Sequence, residues 1–356
     1  MPPVAKIDSA QLRLRVQAEL DTYLGSRVPR LNQIAPDLAP FGAALVDLLS
    51  GGKRLRPMFC YWGWRAAGGA DSPQIMQAAA SLELVQACAL IHDDVMDRSD
   101  TRRGSPTAHR RFAALHDAAG WPGPGDNFGT GAAILLGDLS LSWADEMLFT
   151  SGLDQDDLLR AKPVFDEMRL EIMAGQYLDL VEQARGGGSL DRALRVVQYK
   201  SAKYTIERPL HLGAALAGAP ATLLVALSAF GLPLGTAFQL RDDLLGVFGD
   251  PAITGKPAGD DLREGKRTYL VALAVESANP AQTRMIDTAL GNPNLTPDAV
   301  TELRQILIDT GAVAAVEAQI SDLTAQAQGA LAAAQIDSDA RMALAELAVA
   351  ATTRNG

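Results

Sequence analysis

Apolar side chains recur at helical spacing along most of the chain, and this spacing is the strongest constraint on its fold. Ala- and Leu-rich stretches dominate, whereas alternating runs of β-branched residues, which are typical of strands, are nearly absent. We therefore predict an all-α protein. The predicted helices cover 10–24, 37–50, 57–68, 73–99, 129–149, 155–184, 190–217, 220–246, 266–278 and, with breaks, 297–350.

Glycine and proline separate these segments. We predict Ser72 as the N-cap and Pro73 as the first residue of the helix that begins there. The clearest loop is 116–128, and a second covers 250–265. The breakers that close helices are Gly51-Gly52, Gly68-Gly69, Gly186-Gly187-Gly188 and Asn279-Pro280. Nothing between 40 and 330 resembles a linker, so we predict one large helical domain over 37–356 after an N-terminal helical extension over 1–36.

Composition narrows the class of protein. The chain has 356 residues and a net charge of -10, which argues against a nucleic-acid binder but leaves small anionic substrates open. Cys60 and Cys88 lie in apolar surroundings, as buried thiols of a reducing compartment do. The N-terminus has no apolar signal core, and no run reaches the ~18 to 20 apolar residues of a membrane span. We expect a cytoplasmic protein without stable membrane insertion.

The stretch ALIHDDVMDRSDTRRGSP, residues 89–106, carries the strongest chemical signal. On a helix, Asp93 and Asp97 lie one turn apart with Asp94 beside them, and such carboxylates repel unless a cation lies between them. Carboxylates are natural Mg²⁺ ligands, and the following Arg102 and Arg103 suit bidentate contact with phosphate. The pattern indicates a diphosphate site; the alternative is an acidic helix end and a basic loop that are merely solvated. For His92 we prefer a packed, hydrogen-bonded core role, because Mg²⁺ favours oxygen ligands.

Two further stretches favour the diphosphate interpretation. SGGKRLRPMF, residues 50–59, places three cations after a double glycine and before Pro57, which can begin a helix whose free N–H groups attract phosphate. QLRDDLLGVFGD, residues 239–250, holds a second aspartate pair in an apolar helix, and GKPAGDDLREGKRT follows at 255–268. Two aspartate clusters and several basic loops rarely occur together by chance.

These residues resemble the trans-isoprenyl diphosphate synthases, also called polyprenyl synthetases. The resemblance extends from about Leu45 to about Ala274. It depends on the joint occurrence, in order, of the motifs GGKRLRP, LIHDDVMD, DTRRG, ILLGD, AGQYLDL, YKSAKYT and FQLRDD through GKPAGDDLREGKRT. It implies an all-α bundle around a central apolar cavity, the isoprenoid synthase fold, usually as a homodimer.

The resemblance also implies roles for individual residues. The first aspartate cluster, Asp93 and Asp97 with Asp94 assisting, would hold two Mg²⁺ ions on an allylic diphosphate, and the second, Asp242 with Asp243 assisting, would hold a third. The matching cations and polar groups for the allylic diphosphate are Arg102, Lys200, Ser201, Gln239, Lys256 and, as a weaker match, Lys266. Those for isopentenyl diphosphate are Lys53, Arg56, Gln86 and Arg103. Asp93, Asp97, Arg102, Lys200 and Asp242 form the expected catalytic set.

Two positions depart from the family pattern. Gln86 stands where relatives commonly have histidine, and it donates hydrogen bonds but carries no charge. Gly246 stands where the second motif would place its third aspartate, so Asp242 and Asp243 have no carboxylate partner four residues on. We infer a third metal ion held mainly by Asp242, water and diphosphate; a plain packing role for Gly246 is the alternative.

Product length is predicted from the helix that precedes Asp93. The face below it includes Leu82, Val85, Gln86 and Ala89, and the small Cys88 and Ala89 leave no aromatic barrier directly beneath the aspartates. Leu82 lies ~16 Å lower, at 1.5 Å per residue. This depth suits a product longer than farnesyl diphosphate, and geranylgeranyl diphosphate is our hypothesis.

The predicted activity is therefore Mg²⁺-assisted prenyl transfer from an allylic diphosphate to isopentenyl diphosphate. Alternatives within the family are farnesyl or longer-chain products. A class I terpene cyclase would usually lack the second aspartate cluster and GGKRLRP. A non-catalytic partner subunit of a heteromeric synthase would typically lose the first cluster, and a purely structural helical protein would leave the convergent charges unexplained.

Overall fold

Helices make up nearly all regular structure in the computed structural model, which describes residues 8–250, 259–292 and 294–352. The described strands are β1 (Thr101–Arg102) and β2 (Ser105–Pro106), an antiparallel pair. The all-α prediction is confirmed. The α-helices are α1 Ser9–Ile34, α2 Ala39–Leu49, α3 Leu55–Ala66, α4 Pro73–Met96, α5 Ala108–Ala118, α6 Gly125–Phe149, α7 Gln155–Arg185, α8 Leu190–Val196, α9 Arg208–Leu216, α10 Ala221–Phe248, α11 Asp260–Glu264, α12 Tyr269–Ser277, α13 Pro280–Ala289, α14 Pro297–Asp309, α15 Ala312–Ala333 and α16 Ser338–Thr352.

Several predicted boundaries need correction. The first helix continues ten residues beyond the predicted end, through Pro29 to Ile34. The predicted loop 116–128 is mostly helical, because α5 ends at Ala118 and α6 begins at Gly125. The described part of the predicted loop 250–265 contains α11. Asn279 does follow a helix, but its side chain also caps the first turn of α13, a helix that the sequence did not predict.

Other local predictions are confirmed. The Ser72 hydroxyl accepts a hydrogen bond from the backbone N–H of Ile75 at the start of α4. Thr268 and Thr296 cap α12 and α14 in the same way, although the sequence did not predict these two caps. Cys60 and Cys88 are both buried free thiols, and burial raises the pKa of the Cys88 thiol to about 12. A thiol in that state is protonated at neutral pH, which agrees with a chemistry that needs no cysteine nucleophile.

The described chain forms two compact units. The first contains the described residues up to Lys162 together with Pro209–Ala219 and Ile336–Ala343; the second contains Pro163–Arg208, Pro220–Gln335 and the described residues from Leu344. In the first unit, α4 packs against α6, α3 and α1. Helix α9 lies against α3 so closely that a Cβ on Gly213 would be 1.8 Å from the carbonyl oxygen of Cys60.

The second unit is built around α10, which packs against α15 and against a π-helix over Val197–Glu207. Its core contains buried side chains from α10, α12, α14 and α15, among them Leu244, Leu270, Leu303 and Val316. A π-helix of this length is unusual, because π-helical turns mostly occur singly inside α-helices, where they are frequent at functional sites. Lys200 and Ser201 both lie within it.

Two helices pass the length and hydropathy test for a membrane span. They are α4 and α10. In the most apolar 18-residue stretch of each helix, 72% is buried inside the structure for α4 and 44% for α10. Helices in the core of a protein pass the same test, so this is weak evidence for insertion. Both helices carry an aspartate cluster near the carboxyl end.

Candidate active site

The first aspartate cluster lies at the carboxyl end of α4. Asp97 is the C-cap, and its backbone N–H donates to the carbonyl of Asp93 at 2.8 Å. Asp93 and Asp97 are half-buried, whereas Asp94 is buried. The helix therefore places Asp93 and Asp97 one turn apart, as the sequence predicted, while Asp94 points into the protein.

Arg102 is the cation that this cluster requires. From β1, its Nε lies 2.9 Å from each Asp94 carboxylate oxygen, and a terminal nitrogen lies 2.7 Å from Asp94 Oδ1 and 3.4 Å from Asp93 Oδ2. Arg102 therefore offsets the repulsion between the two carboxylates. Asp94 was predicted to bind a metal ion, but both of its oxygens accept hydrogen bonds from Arg102. Holding Arg102 in place is therefore an alternative role for Asp94.

The donor chemistry of Asp93 and Asp97 fits Mg²⁺. Among the described residues, no three metal-binding side chains already converge on one point. Mg²⁺ does not require such a cage, since proteins usually bind it through one or two carboxylates, water and substrate phosphates. Two carboxylates one helical turn apart meet that requirement.

A basic turn lies between α2 and α3, in the same unit. Lys53 is exposed and Arg56 is half-buried in the first turn of α3, which begins two residues before the predicted Pro57. Arg103, from the β1–β2 turn, donates to the carbonyl of Gly51 at 3.2 Å. Burial and the nearby Arg102 lower the pKa of Arg103, although an arginine remains charged at neutral pH. The structure thus brings Arg103 beside the double glycine, and an anion bound there would stabilise the cluster.

Gln86 lies on α4, two turns before Asp93. Its Oε1 atom is buried and accepts no hydrogen bond from any of the described residues. A buried amide oxygen without a donor is costly, so this site gains from a ligand or a water that donates to it. The position fits the predicted substrate role of Gln86.

The predicted chain-length residues separate by burial. Leu82, Val85 and Cys88 are buried, and Ala89 is half-exposed. The Cys88 Sγ atom lies 3.7 Å from Nδ1 of His92, whose Nε2 lies 3.1 Å from the carbonyl oxygen of Ile134 on α6. Cys88 therefore faces the α4–α6 contact, and Ala89 is the better position for testing product length. His92 is packed against α6 and hydrogen-bonded, as predicted, but 27% of its side chain is exposed, so it is not a core residue.

The second aspartate cluster lies near the carboxyl end of α10. Asp243 is buried and accepts a hydrogen bond from the Gln239 side chain at 2.7 Å, whereas Asp242 is half-buried. Burial, with repulsion from Asp261 and Asp242, raises the pKa of Asp243 to about 8. A bound cation would relieve that repulsion, so the cluster fits a metal ion. Gln239 was predicted to contact diphosphate, and in this structure its side-chain amide donates to Asp243.

Asp261 fills the space beside Gly246. A Cβ on Gly246 would lie 1.8 Å from Oδ2 of Asp261, so the carboxylate from α11 occupies the place of a side chain at 246. Lys266, another predicted cation, lies 2.6 Å from Glu264 and 3.5 Å from Asp261. The sequence did not reveal this role of Asp261, although the GDDLREG stretch contains it, because only the folded chain brings α11 against α10. Lys256 falls outside the described residues.

Gly246 leaves room for the Asp261 carboxylate, as a packing glycine does. We predict that Gly246→Asp, which restores the familiar spacing of three aspartates, lowers the free energy of unfolding by about 1–2 kcal/mol, because Asp261 must turn away and another carboxylate joins the cluster. Gly246→Asp combined with Asp261→Gly is expected to recover most of that loss. Urea denaturation of the metal-free proteins measures both; a fully stable single variant would contradict the prediction.

Two neighbouring helices, α7 and α10, contact the π-helix around Lys200. The Lys200 Nζ lies 2.7 Å from Oδ2 of the buried Asp179 on α7. A Cβ on Gly175 would lie 2.2 Å from the backbone nitrogen of Lys200, and one on Gly235 would lie 2.5 Å from the carbonyl oxygen of Ala202. Helices α7 and α10 therefore both pack closely against this backbone, and Ser201 is half-buried. Sequence reasoning missed Asp179 as the partner of Lys200.

Comparison with known proteins agrees with this geometry. The polyprenyl synthetase family model matches residues 40–307. A geranylfarnesyl diphosphate synthase of Aeropyrum pernix is 35% identical over 284 residues, 79% of this chain and 82% of that protein. A (2E,6E)-farnesyl diphosphate synthase of Mycobacterium bovis is 35% identical over 270 residues, 72% and 70% of the two chains.

A solved structure is similar over the whole fold. The geranylgeranyl pyrophosphate synthase of Corynebacterium glutamicum, crystallised with isoprenyl diphosphate and magnesium, has a TM-score of 0.95 and 42% identity, covering 98% of this chain and 100% of that one. The predicted isoprenoid synthase fold is therefore confirmed. With two aspartate clusters, each accompanied by cations, and a family model that matches most of its length, this chain belongs to the polyprenyl synthetase family of prenyltransferases.

Proposed function

We propose that this chain condenses isopentenyl diphosphate with an allylic diphosphate to give geranylgeranyl diphosphate. The observation that carries the proposal is the arrangement at the end of α4, where Asp93 and Asp97 lie one turn apart and Arg102 contacts both Asp94 and Asp93. Relatives named as geranylgeranyl, geranylfarnesyl and farnesyl diphosphate synthases support it. Farnesyl or longer products are the alternatives.

In this proposal the first step breaks the allylic C–O bond and leaves a carbocation and diphosphate. Bound Mg²⁺, about three ions held by Asp93, Asp97 and Asp242, would supply positive charge to the leaving group. Arg102, Lys200 and Lys256 bind its phosphate oxygens, with Ser201 and Lys266 beside them. The Asp179 contact orients Lys200 for that task.

The second step forms the new C–C bond. Lys53, Arg56, Arg103 and Gln86 bind the diphosphate of isopentenyl diphosphate, so that its double bond attacks the carbocation. The resulting cation loses a proton to the diphosphate that has just left, which balances the reaction. Apolar side chains around the prenyl tail exclude water, which would otherwise quench the carbocation.

Product length tests the role of α4. We predict that Ala89→Phe shortens the product by one or more five-carbon units, because an aromatic ring would occupy the half-exposed face one turn below Asp93. Chromatography of the dephosphorylated products measures this. Leu90→Phe, at the neighbouring half-exposed position, is the matched control; an unchanged product from Ala89→Phe would contradict the assignment.

The decisive experiment gives purified protein isopentenyl diphosphate with dimethylallyl, geranyl or farnesyl diphosphate, each with Mg²⁺ or with a chelator. Mg²⁺-dependent elongation to a C20 product supports the proposal. Elongation that stops at another chain length would change the assigned product but leave the proposed prenyltransferase activity in place. Cyclic hydrocarbons would favour a terpene cyclase, and no elongation from any primer would favour a partner subunit.

We further propose that the protein acts as a cytoplasmic homodimer without stable membrane insertion. Two exposed apolar side chains on α6, Phe128 and Leu135, lie two turns apart on one face of the helix and support the dimer, because apolar surface in contact with water is costly. No nucleic acid is involved in this proposal, which agrees with the acidic net charge.

A further inference from the structure

Arg54 differs from the other cations of GGKRLRP in its surroundings. It is 4% exposed and is the single buried Lys or Arg among the described residues. Its guanidinium donates to Oε2 of Glu83 at 2.5 Å, to the side-chain oxygen of Gln17 and to the carbonyl of Leu49. A residue so enclosed has no access to a substrate diphosphate, so its role differs from that of Lys53 and Arg56.

These three bonds join separate parts of the first unit. Gln17 belongs to α1, Leu49 ends α2, and Glu83 lies on α4. Arg54 itself is the N-cap of α3, and its carbonyl accepts from the N–H of Met58 at 3.1 Å. Its side chain therefore ties the start of α3 to the helix that carries Gln86 and Asp93.

The backbone of Arg54 needs this support. Its φ of 53° and ψ of 34° are left-handed, a conformation that residues with a Cβ rarely adopt. Such conformations persist where side-chain contacts hold them, and they concentrate at functional sites. Arg103 also has a φ of 53°. Gly52, with a φ of 132°, lies between the two guanidinium groups, since its Cβ would be 3.5 Å from nitrogens of both.

Glu83 is the counterion of this arrangement. It is 6% exposed, pairs with Arg54, and opposes the effect of neighbouring arginines on the pKa of Arg103. Glu83 also lies one helical turn before Gln86. Glu83 therefore contacts the basic turn through Arg54. It also lies on the same helix as Gln86, which is predicted to bind isopentenyl diphosphate.

We propose that Glu83, acting through Arg54, is a positioning residue for isopentenyl diphosphate. The buried pair sets the backbone of residues 52–56, and with it the directions of Lys53 and Arg56, relative to Gln86 on α4. Removing the charge of Glu83 while keeping its shape releases the Arg54 backbone and misplaces the cations that bind the second substrate. This inference depends on the proposed function, because it assigns that substrate to the basic turn.

The test is Glu83→Gln, assayed below the melting temperature of every variant. We expect the KM for isopentenyl diphosphate to rise about tenfold or more, with kcat within about threefold and the KM of the allylic substrate unchanged. Calorimetric titration with isopentenyl diphosphate should show the same loss of affinity. Glu146→Gln, which weakens the Arg27–Glu146 ion pair elsewhere in the unit, is the control and should leave both KM values unchanged.

A second variant separates positioning from plain stability. Arg54→Met combined with Glu83→Leu replaces the buried pair with apolar side chains, which often restores stability. We expect its melting temperature to exceed that of Glu83→Gln while the KM for isopentenyl diphosphate stays raised. The inference is overturned if the double variant recovers both the wild-type melting temperature and the wild-type KM for isopentenyl diphosphate. It is also overturned if this KM is unchanged in Glu83→Gln. If the wild-type protein elongates no primer, the proposed function fails instead.

Discussion

Replacing Asp93 with asparagine is expected to lower kcat about 10³-fold, which corresponds to ~4 kcal/mol of transition-state stabilisation. The substitution keeps the shape of the side chain but removes the charge that would hold Mg²⁺ on the leaving diphosphate. Arg102 retains its contacts with Asp94, so the local fold should persist. Steady-state kinetics at saturating Mg²⁺ measures the loss.

Asp100→Asn is the matched control for this substitution. Asp100 follows the same helix by four residues, but its side chain is exposed and pairs with Arg110 at 2.6 Å. Because exposed ion pairs contribute little, its activity should stay within about twofold of wild type. Less than a tenfold loss in Asp93→Asn, at a wild-type melting temperature, would remove Asp93 from the catalytic set.

Gly213→Ala is expected to lower the free energy of unfolding by about 3–4 kcal/mol. The added Cβ would lie 1.8 Å from the carbonyl oxygen of Cys60 and 2.7 Å from the backbone nitrogen of Trp64. Backbone atoms cannot move aside as a flexible side chain can, so α9 must separate from α3 and lose packing along the contact. Urea denaturation, or the shift in melting temperature, measures the effect.

A glycine in open space provides the comparison for Gly213. Gly329 lies within α15, and a Cβ added there would have no atom of the described neighbouring residues within 4 Å. Gly329→Ala should therefore stabilise the protein by about 0.5–1 kcal/mol, through helix propensity alone. If the free energy of unfolding falls in Gly213→Ala and rises in Gly329→Ala, the close approach of α9 to α3 explains the loss at Gly213. Equal changes in the two variants would refute this explanation.

Much of the candidate site is predictable from sequence because its residues cluster within short motifs. The spacing of Asp93 and Asp97 determines that they lie one helical turn apart, and the folded chain places them so. The metal and substrate roles of these residues stay predictions. The roles of Asp179, Asp261 and Glu83 were missed, because each residue contacts a segment that is distant in sequence. Asp179 pairs with Lys200, Asp261 fills the space beside Gly246, and Glu83 pairs with Arg54.

The fold shows the same division. Periodicity predicted most helices, but it missed the short helices α5, α11 and α13. It also predicted one regular helix over 190–217, where the structure has α8, a π-helix and α9. Local propensity does not encode a π-helix; close packing by Gly175 and Gly235 against its backbone accompanies it.

The amino-acid sequence by itself determined the all-α class, the helical spacing of the aspartates, and membership of a family with two aspartate clusters, because periodicity and motif order are local properties of the chain. Tertiary structure alone decided which charges are partners. Arg54 and Lys53 are neighbours in one basic motif, yet one is buried against Glu83 and the other is exposed. Burial depends on the helices that pack around each side chain, and no local pattern specifies it.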